Sequence, residues 1–164
     1  MNRLTLAGLW VGAQVLFFAG WAYREEARLT SGPSILVRVV PVDPRDLLRG
    51  QYLTLGYEFS RDWDSMGAGA HLVSGTPVWV VLRPAAEFYV PARLSPTGPP
   101  TLSAGEVALK GQVSGGRYVF GIERYFVPEG SETPPASDLT VRLRVGSDGA
   151  PRIEQVYVKG VPWP

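Results

Sequence analysis

The sequence predicts a mainly β fold: a single N-terminal transmembrane helix followed by an antiparallel β-sandwich or small β-barrel domain. Three observations carry that prediction. Leu4–Tyr23 is a run of 20 residues of which 15 are hydrophobic and none is charged. Gly and Pro together number 34 of 164 residues, too many for a helical bundle. Beyond the first run, short β-branched stretches alternate with turn clusters at the spacing of an all-β domain. The expected division is a membrane anchor over 1–24, a linker over 25–33 and a β-rich domain over 34–164.

The N-terminal run is long enough to span a membrane, since 20 helical residues cover about 30 Å, the hydrocarbon thickness of a bilayer. Arg3 and Arg24 bracket it, and Trp21 and Tyr23 sit where aromatic rings favour the lipid–water boundary. A cleaved signal peptide fits less well. Its apolar core would be shorter, and Gly20-Trp21-Ala22 makes a poor cleavage site. A short tail kept in the cytoplasm places the following domain outside a bacterial cytoplasmic membrane, although Arg24 and Arg28 nearly balance Arg3 and the amino terminus. Gly8 and Gly12 form a small-residue pair on one helix face, a device for helix–helix contact and for a homodimer. Glu25–Pro33 then turns charged and ends in Thr-Ser-Gly-Pro, which reads as a linker.

The strands follow in order. Ile35–Val42 is apolar and β-branched, Gln51–Phe59 comes next, then Pro77–Arg83 and Glu87–Leu94. After the Pro- and Gly-rich Ser95–Pro100 come Glu106–Ser114 and Arg117–Phe126, joined by Gly115-Gly116, a pair suited to a tight hairpin. Leu139–Val145 alternates with period two, with Leu139, Val141, Leu143 and Val145 on one face and Thr140, Arg142 and Arg144 on the other. Ser147-Asp148-Gly149 turns the chain into Ile153–Val161. Trp163, between two prolines, either folds back onto the sheet or docks on a partner or lipid.

Composition excludes several functions. A net charge of +1 offers no electrostatic case for nucleic acid. The absence of Cys and the single histidine, His71, rule out disulfides, thiol chemistry and ordinary zinc sites. His71 beside Asp62 or Asp64 lacks a nucleophile, and the acidic residues lack the spacing of a cation loop, so neither metal nor cofactor is expected. Ser65 with Lys110 has the residue types of a serine–lysine peptidase, but the Gly-Gln-Tyr segment precedes Ser65, opposite to the order such a peptidase needs.

Two clusters hold the chemistry that remains. In Asp43-Pro44-Arg45-Asp46-Leu47-Leu48-Arg49-Gly50-Gln51-Tyr52, a turn crowds Arg45, Asp46 and Arg49 at the mouth of a strand. Along that strand Tyr52 faces one way, and Gln51, Leu53, Leu55 and Tyr57 face the other. In the second cluster Glu123, Tyr125 and Val127 share one face, Arg124 and Phe126 the other, and Pro128-Glu129-Gly130 ends the strand. Opposed charges predict that Arg45, Asp46 and Arg49 meet Glu123, Arg124 and Glu129 at one end of the sheet. Such a meeting serves either as a structural ion network or as a patch for a charged ligand, since Arg presents a planar fork to carboxylate or phosphate.

Arg49-Gly50-Gln51-Tyr52-Leu53-Thr54-Leu55-Gly56-Tyr57, with Asp43-Pro44-Arg45-Asp46 before it and Glu123–Gly130 after it, resembles the GDYXXLXY family of bacterial membrane-anchored proteins. Gln51 stands where that signature has Asp, so a role needing the negative charge has no carrier at this position. The resemblance implies an anchored β domain and no particular reaction. The expected function is therefore a non-enzymatic, extracytoplasmic accessory or binding module. It would touch lipid through Leu4–Tyr23 and an integral membrane partner or envelope ligand through the two clusters. The alternative is a cell-envelope hydrolase acting through Ser65 and Lys110, or through Glu123 and Arg124.

Overall fold

The computed structural model describes residues 2–40, 52–60, 72–128 and 134–163. The N-terminal helix α1 covers Arg3–Thr30, six residues beyond the end expected at Arg24. The charged stretch expected as a linker is helical because Glu, Ala, Arg and Leu are all strong helix formers. Pro33 stops it: the Ser31 amide still donates to the Ala27 carbonyl at 2.9 Å, and the chain then turns extended. Among the described residues, no helix is long and apolar enough to cross a membrane. The side chains of Leu4 and Leu6, which open the apolar run, lie outside the described set.

The rest is antiparallel sheet. Strands β1 (Ser34–Val40), β2 (Tyr52–Thr54), β3 (Gly56–Tyr57), β4 (Pro77–Ala85), β5 (Phe88–Ser95) and β6 (Val107–Ser114) come first. They are followed by β7 (Arg117–Val119), β8 (Arg124–Phe126), β9 (Leu139–Val145), β10 (Pro151–Val158) and β11 (Val161–Trp163). One sheet has the order β11-β10-β9-β1-β3, a second the order β5-β4-β6-β7, and β2 with β8 makes a two-stranded ribbon. Period-two alternation explains the burial: Ile35, Val37 and Val39 of β1 and Leu139, Val141, Leu143 and Val145 of β9 all point inward. Inward residues of all three sheets join one apolar cluster. Both hairpins expected at glycine turns form there, and Gly115 and Gly116 take the positive φ of 56° and 75° that a two-residue connection demands.

Three expected strands are broken. Gln51–Phe59 becomes β2, β3 and a 3-10 turn over Glu58–Ser60, and Arg117–Phe126 is interrupted between β7 and β8. Ile153–Val161 is divided by the turn at Lys159-Gly160 into β10 and β11, with a bulge between Ile153 and Gln155. Trp163 folds back, its ring 6.1 Å from Tyr125.

The helix exit is tied to the sheet. A Cβ on Gly32 would lie 1.7 Å from the Val145 carbonyl oxygen, so only glycine fits that approach. The Val145 amide donates to the Pro33 carbonyl at 3.1 Å, and Arg144 donates to the Gly32 carbonyl at 3.3 Å. Glu154 completes the clamp by accepting from Arg144 and, at 2.7 Å, from the Ser34 hydroxyl.

Candidate functional site

The signature strand changes partners half-way along. In β2, Tyr52, Leu53 and Thr54 lie opposite Phe126, Tyr125 and Arg124 of β8. In β3, Gly56 and Tyr57 lie opposite Val40 and Val39 of β1. Between the two halves the Leu55 amide donates to the Glu123 carbonyl at 2.8 Å. The described end of the first cluster, from Tyr52 on, is therefore the strand beside the second.

Their inward residues build the core. Leu53, Leu55 and Tyr57 are buried, and the Tyr57 hydroxyl donates to the Ile122 carbonyl at 2.9 Å. The Tyr57 ring stacks on Phe59 at 4.9 Å, and Phe59 meets Phe120 edge-on at 5.1 Å. Burial, and after it the nearby Glu123 charge, push the Tyr57 phenol well above its ordinary pKa and keep it a neutral donor. The Glu123 carboxylate accepts from the amides of Phe120 at 2.5 Å and Gly121 at 2.9 Å. With Gly121 at a φ of 81°, this turns the chain out of β7 and into β8.

The outward residues form a polar–aromatic surface. The Arg124 guanidinium lies 5.2 Å from the Tyr52 ring centroid, and Tyr52 meets Phe126 edge-on at 6.3 Å. Phe126 is 74% exposed, unusually open for a phenylalanine. Beside it an open groove of about 380 Å³ separates β8 from the start of β10. Arg124 and Phe126 stand on one wall, Pro151, Arg152 and Ile153 on the other. The lining carries two guanidiniums and the Tyr125 phenol, and among its described residues no carboxylate, imidazole or serine hydroxyl. Such a lining is equipped to bind an anionic or hydrogen-bonding ligand and holds no nucleophile–base pair.

Of the residues expected at the site, Arg45, Asp46, Arg49, Gly50, Gln51, Glu129 and Gly130 lie outside the described residues, as do Ser65 and His71. Tyr52, Glu123, Arg124 and Tyr125 come together, with the exposed Pro128 just beyond the end of β8. Leu55 and Tyr57 are sealed in the core, so they act on the site by holding its strands. Lys110 is exposed, its ammonium 5.9 Å from the Trp79 ring centroid, on a different sheet from β2, β3 and β8. The sequence reasoning missed Pro151, Arg152 and Ile153. A signal existed: counting outward from the turn at Ser147–Gly149 sets Arg152 opposite Arg144.

The ribbon thus pairs Tyr52–Thr54, from within the signature, with Arg124–Phe126 of the second cluster. A family model described as GDYXXLXY protein matches residues 14–156. The chain belongs to the GDYXXLXY family. The match spans the second half of the apolar run, both motif clusters and every strand from β1 to β9. None of the curated proteins and none of the solved structures compared with the chain matches it. Within this GDYXXLXY chain, the aromatic end of the signature, Tyr57, is a core residue hydrogen-bonded to the segment that enters the second cluster.

Proposed function

We propose that the chain is a membrane-anchored, non-enzymatic accessory module. In this reading α1 spans the bacterial cytoplasmic membrane with its amino terminus inside. The β domain stands on the outer surface and binds an integral membrane partner or an envelope ligand through the β2–β8 ribbon. The observation that carries the proposal is the bare apolar surface of α1. Trp10, Leu16, Phe17, Phe18 and Trp21 are each 59–75% exposed, and they spread over about half of the helix circumference. Each large apolar side chain left in water forgoes about 1.5–3 kcal/mol of burial, so such a helix needs lipid or another apolar surface. Together with Leu4 and Leu6, the run has the length of a span. A Cβ built on Gly8 or Gly12 would meet nothing within 4 Å, which leaves that face open to a second helix, of a partner or of another copy. Tethering raises the effective concentration of the domain for membrane partners without any added contact.

Photo-crosslinking in intact membranes, from a probe placed at Phe126, tests the module reading. A specific integral membrane protein among the adducts supports it. Adducts to lipid alone overturn it.

A further inference from the structure

The groove between β8 and β10 has a second property, visible in the main chain. In an antiparallel ladder, residues alternate between exchanging hydrogen bonds with the partner and pointing their N–H and C=O away from it. The Leu55 amide bonds the Glu123 carbonyl, so Glu123 and Tyr125 face β2, and the main-chain groups of Arg124 and Phe126 face the other edge. On the opposite wall the Gly146 amide bonds the Ala150 carbonyl at 3.0 Å. By the same alternation Arg152 faces β9, and Pro151 and Ile153 face the groove. Strand β11 pairs with β10 only over Val156–Val158, and no other described strand pairs with that edge at Pro151–Ile153. Among the described residues no strand pairs with either edge, and the two edges line the same open groove of about 380 Å³. Unpaired edges of this kind are templates for a further strand.

We infer that this groove binds an extended acidic segment of a partner protein as an added β-strand, pairing with Arg124 and Phe126 on one side and with Ile153 on the other. Peptide N–H and C=O groups are the complement of a bare strand edge, which selects a polypeptide over a phosphate or a sugar. Arg124 and Arg152, one on each wall, select carboxylates on the incoming segment. The exposed Phe126 ring lies where an alternate side chain of that strand would rest. A strand inserted here joins the two-stranded ribbon to the five-stranded sheet and removes an exposed edge from each. This inference rests on the accessory-module reading and names the kind of partner that the module takes.

The test uses the full chain in detergent micelles and a short fluorescent peptide of alternating Glu and Val, read by anisotropy. Its companions are the same peptide N-methylated at alternate amides, a Lys–Val peptide, and vesicles of anionic phospholipid. The acidic peptide binds, the Lys–Val peptide does not, and N-methylation weakens binding about tenfold or more by removing main-chain donors. Arg152→Glu weakens it by about tenfold as well, and Arg152→Lys restores most of the loss. No binding of the acidic peptide overturns the inference. So does equal binding of the N-methylated peptide, which would mean charge recognition alone, and so does competition by the vesicles. If the peptide fails while membrane crosslinking still recovers a protein, the groove assignment falls and the module reading stands.

Discussion

Tyr57 carries the clearest prediction at the scale of one residue. It is buried and its hydroxyl holds the Ile122 carbonyl at 2.9 Å. Tyr57→Phe keeps the ring stack and deletes the bond, so unfolding by denaturant should show a loss of about 1–2 kcal/mol. The variant also changes the response to alkali. In the unfolded chain Tyr57 ionises near the ordinary tyrosine value of 10.0, whereas burial holds the folded phenol protonated well above that. Its contribution is full below that value and declines as pH rises beyond it, because only the unfolded state can release the proton. Between about pH 10 and 11 the wild type should lose stability more steeply than Tyr57→Phe. Parallel slopes would mean that the phenol is not isolated from water. The inward position of Tyr57 was legible from alternation alone. Its hydroxyl partner was not, since Ile122 lies 65 residues away and only the folded chain brings it near.

At the scale of elements, the informative feature is the strand that serves two sheets. Gln51–Phe59 has one continuous alternating pattern, and Leu53, Leu55 and Tyr57 keep that pattern in the fold. The change of partner between Thr54 and Gly56 leaves no mark in it, because alternation records which face is apolar and not which strand lies alongside. The break in Arg117–Phe126 was hidden for a different reason. Phe120, Ile122 and Val127 are apolar and buried, and the interruption depends on Glu123 turning its carboxylate to two backbone amides. Strands with partners close in sequence were the legible ones, β9 and the hairpins at Gly115 and Gly149 among them. Glu123→Ala should cost about 1–3 kcal/mol, as two amides lose a charged acceptor, with Glu123→Gln recovering part of it in thermal unfolding. Equal melting of wild type and Glu123→Ala would deny the carboxylate its role in the turn.

For the whole molecule, the joint between α1 and the β domain matters as much as either part. A linker was expected at 25–33, yet the helix runs to Thr30 and its exit is clamped by Gly32, Pro33, Ser34, Arg144 and Glu154. A turn so constrained fixes where the sheet sits relative to the end of the helix. Gly32→Ala would force a methyl group onto the Val145 carbonyl and should lower stability by about 1–3 kcal/mol in thermal unfolding of the detergent-solubilised chain. Charge is also arranged at this scale. The sequence beyond Arg3 balances its acids and bases, but Arg142, Arg144 and Arg152 share the outer face of β9 and β10, where Glu154 sits beside them. Arg144 and Arg152 are directly opposite, a pairing that costs stability unless an anion offsets it. Net charge could not disclose this, because it sums over faces that the fold separates.

Extraction of membranes with alkaline carbonate tests the anchoring most directly. The full chain should remain in the pellet with integral proteins, and the same chain with Leu4–Tyr23 replaced by an equally long Gly/Ser stretch should be released. Release of the full chain into the carbonate supernatant would contradict a membrane-spanning α1 and, with it, the placing of the β domain at the membrane surface.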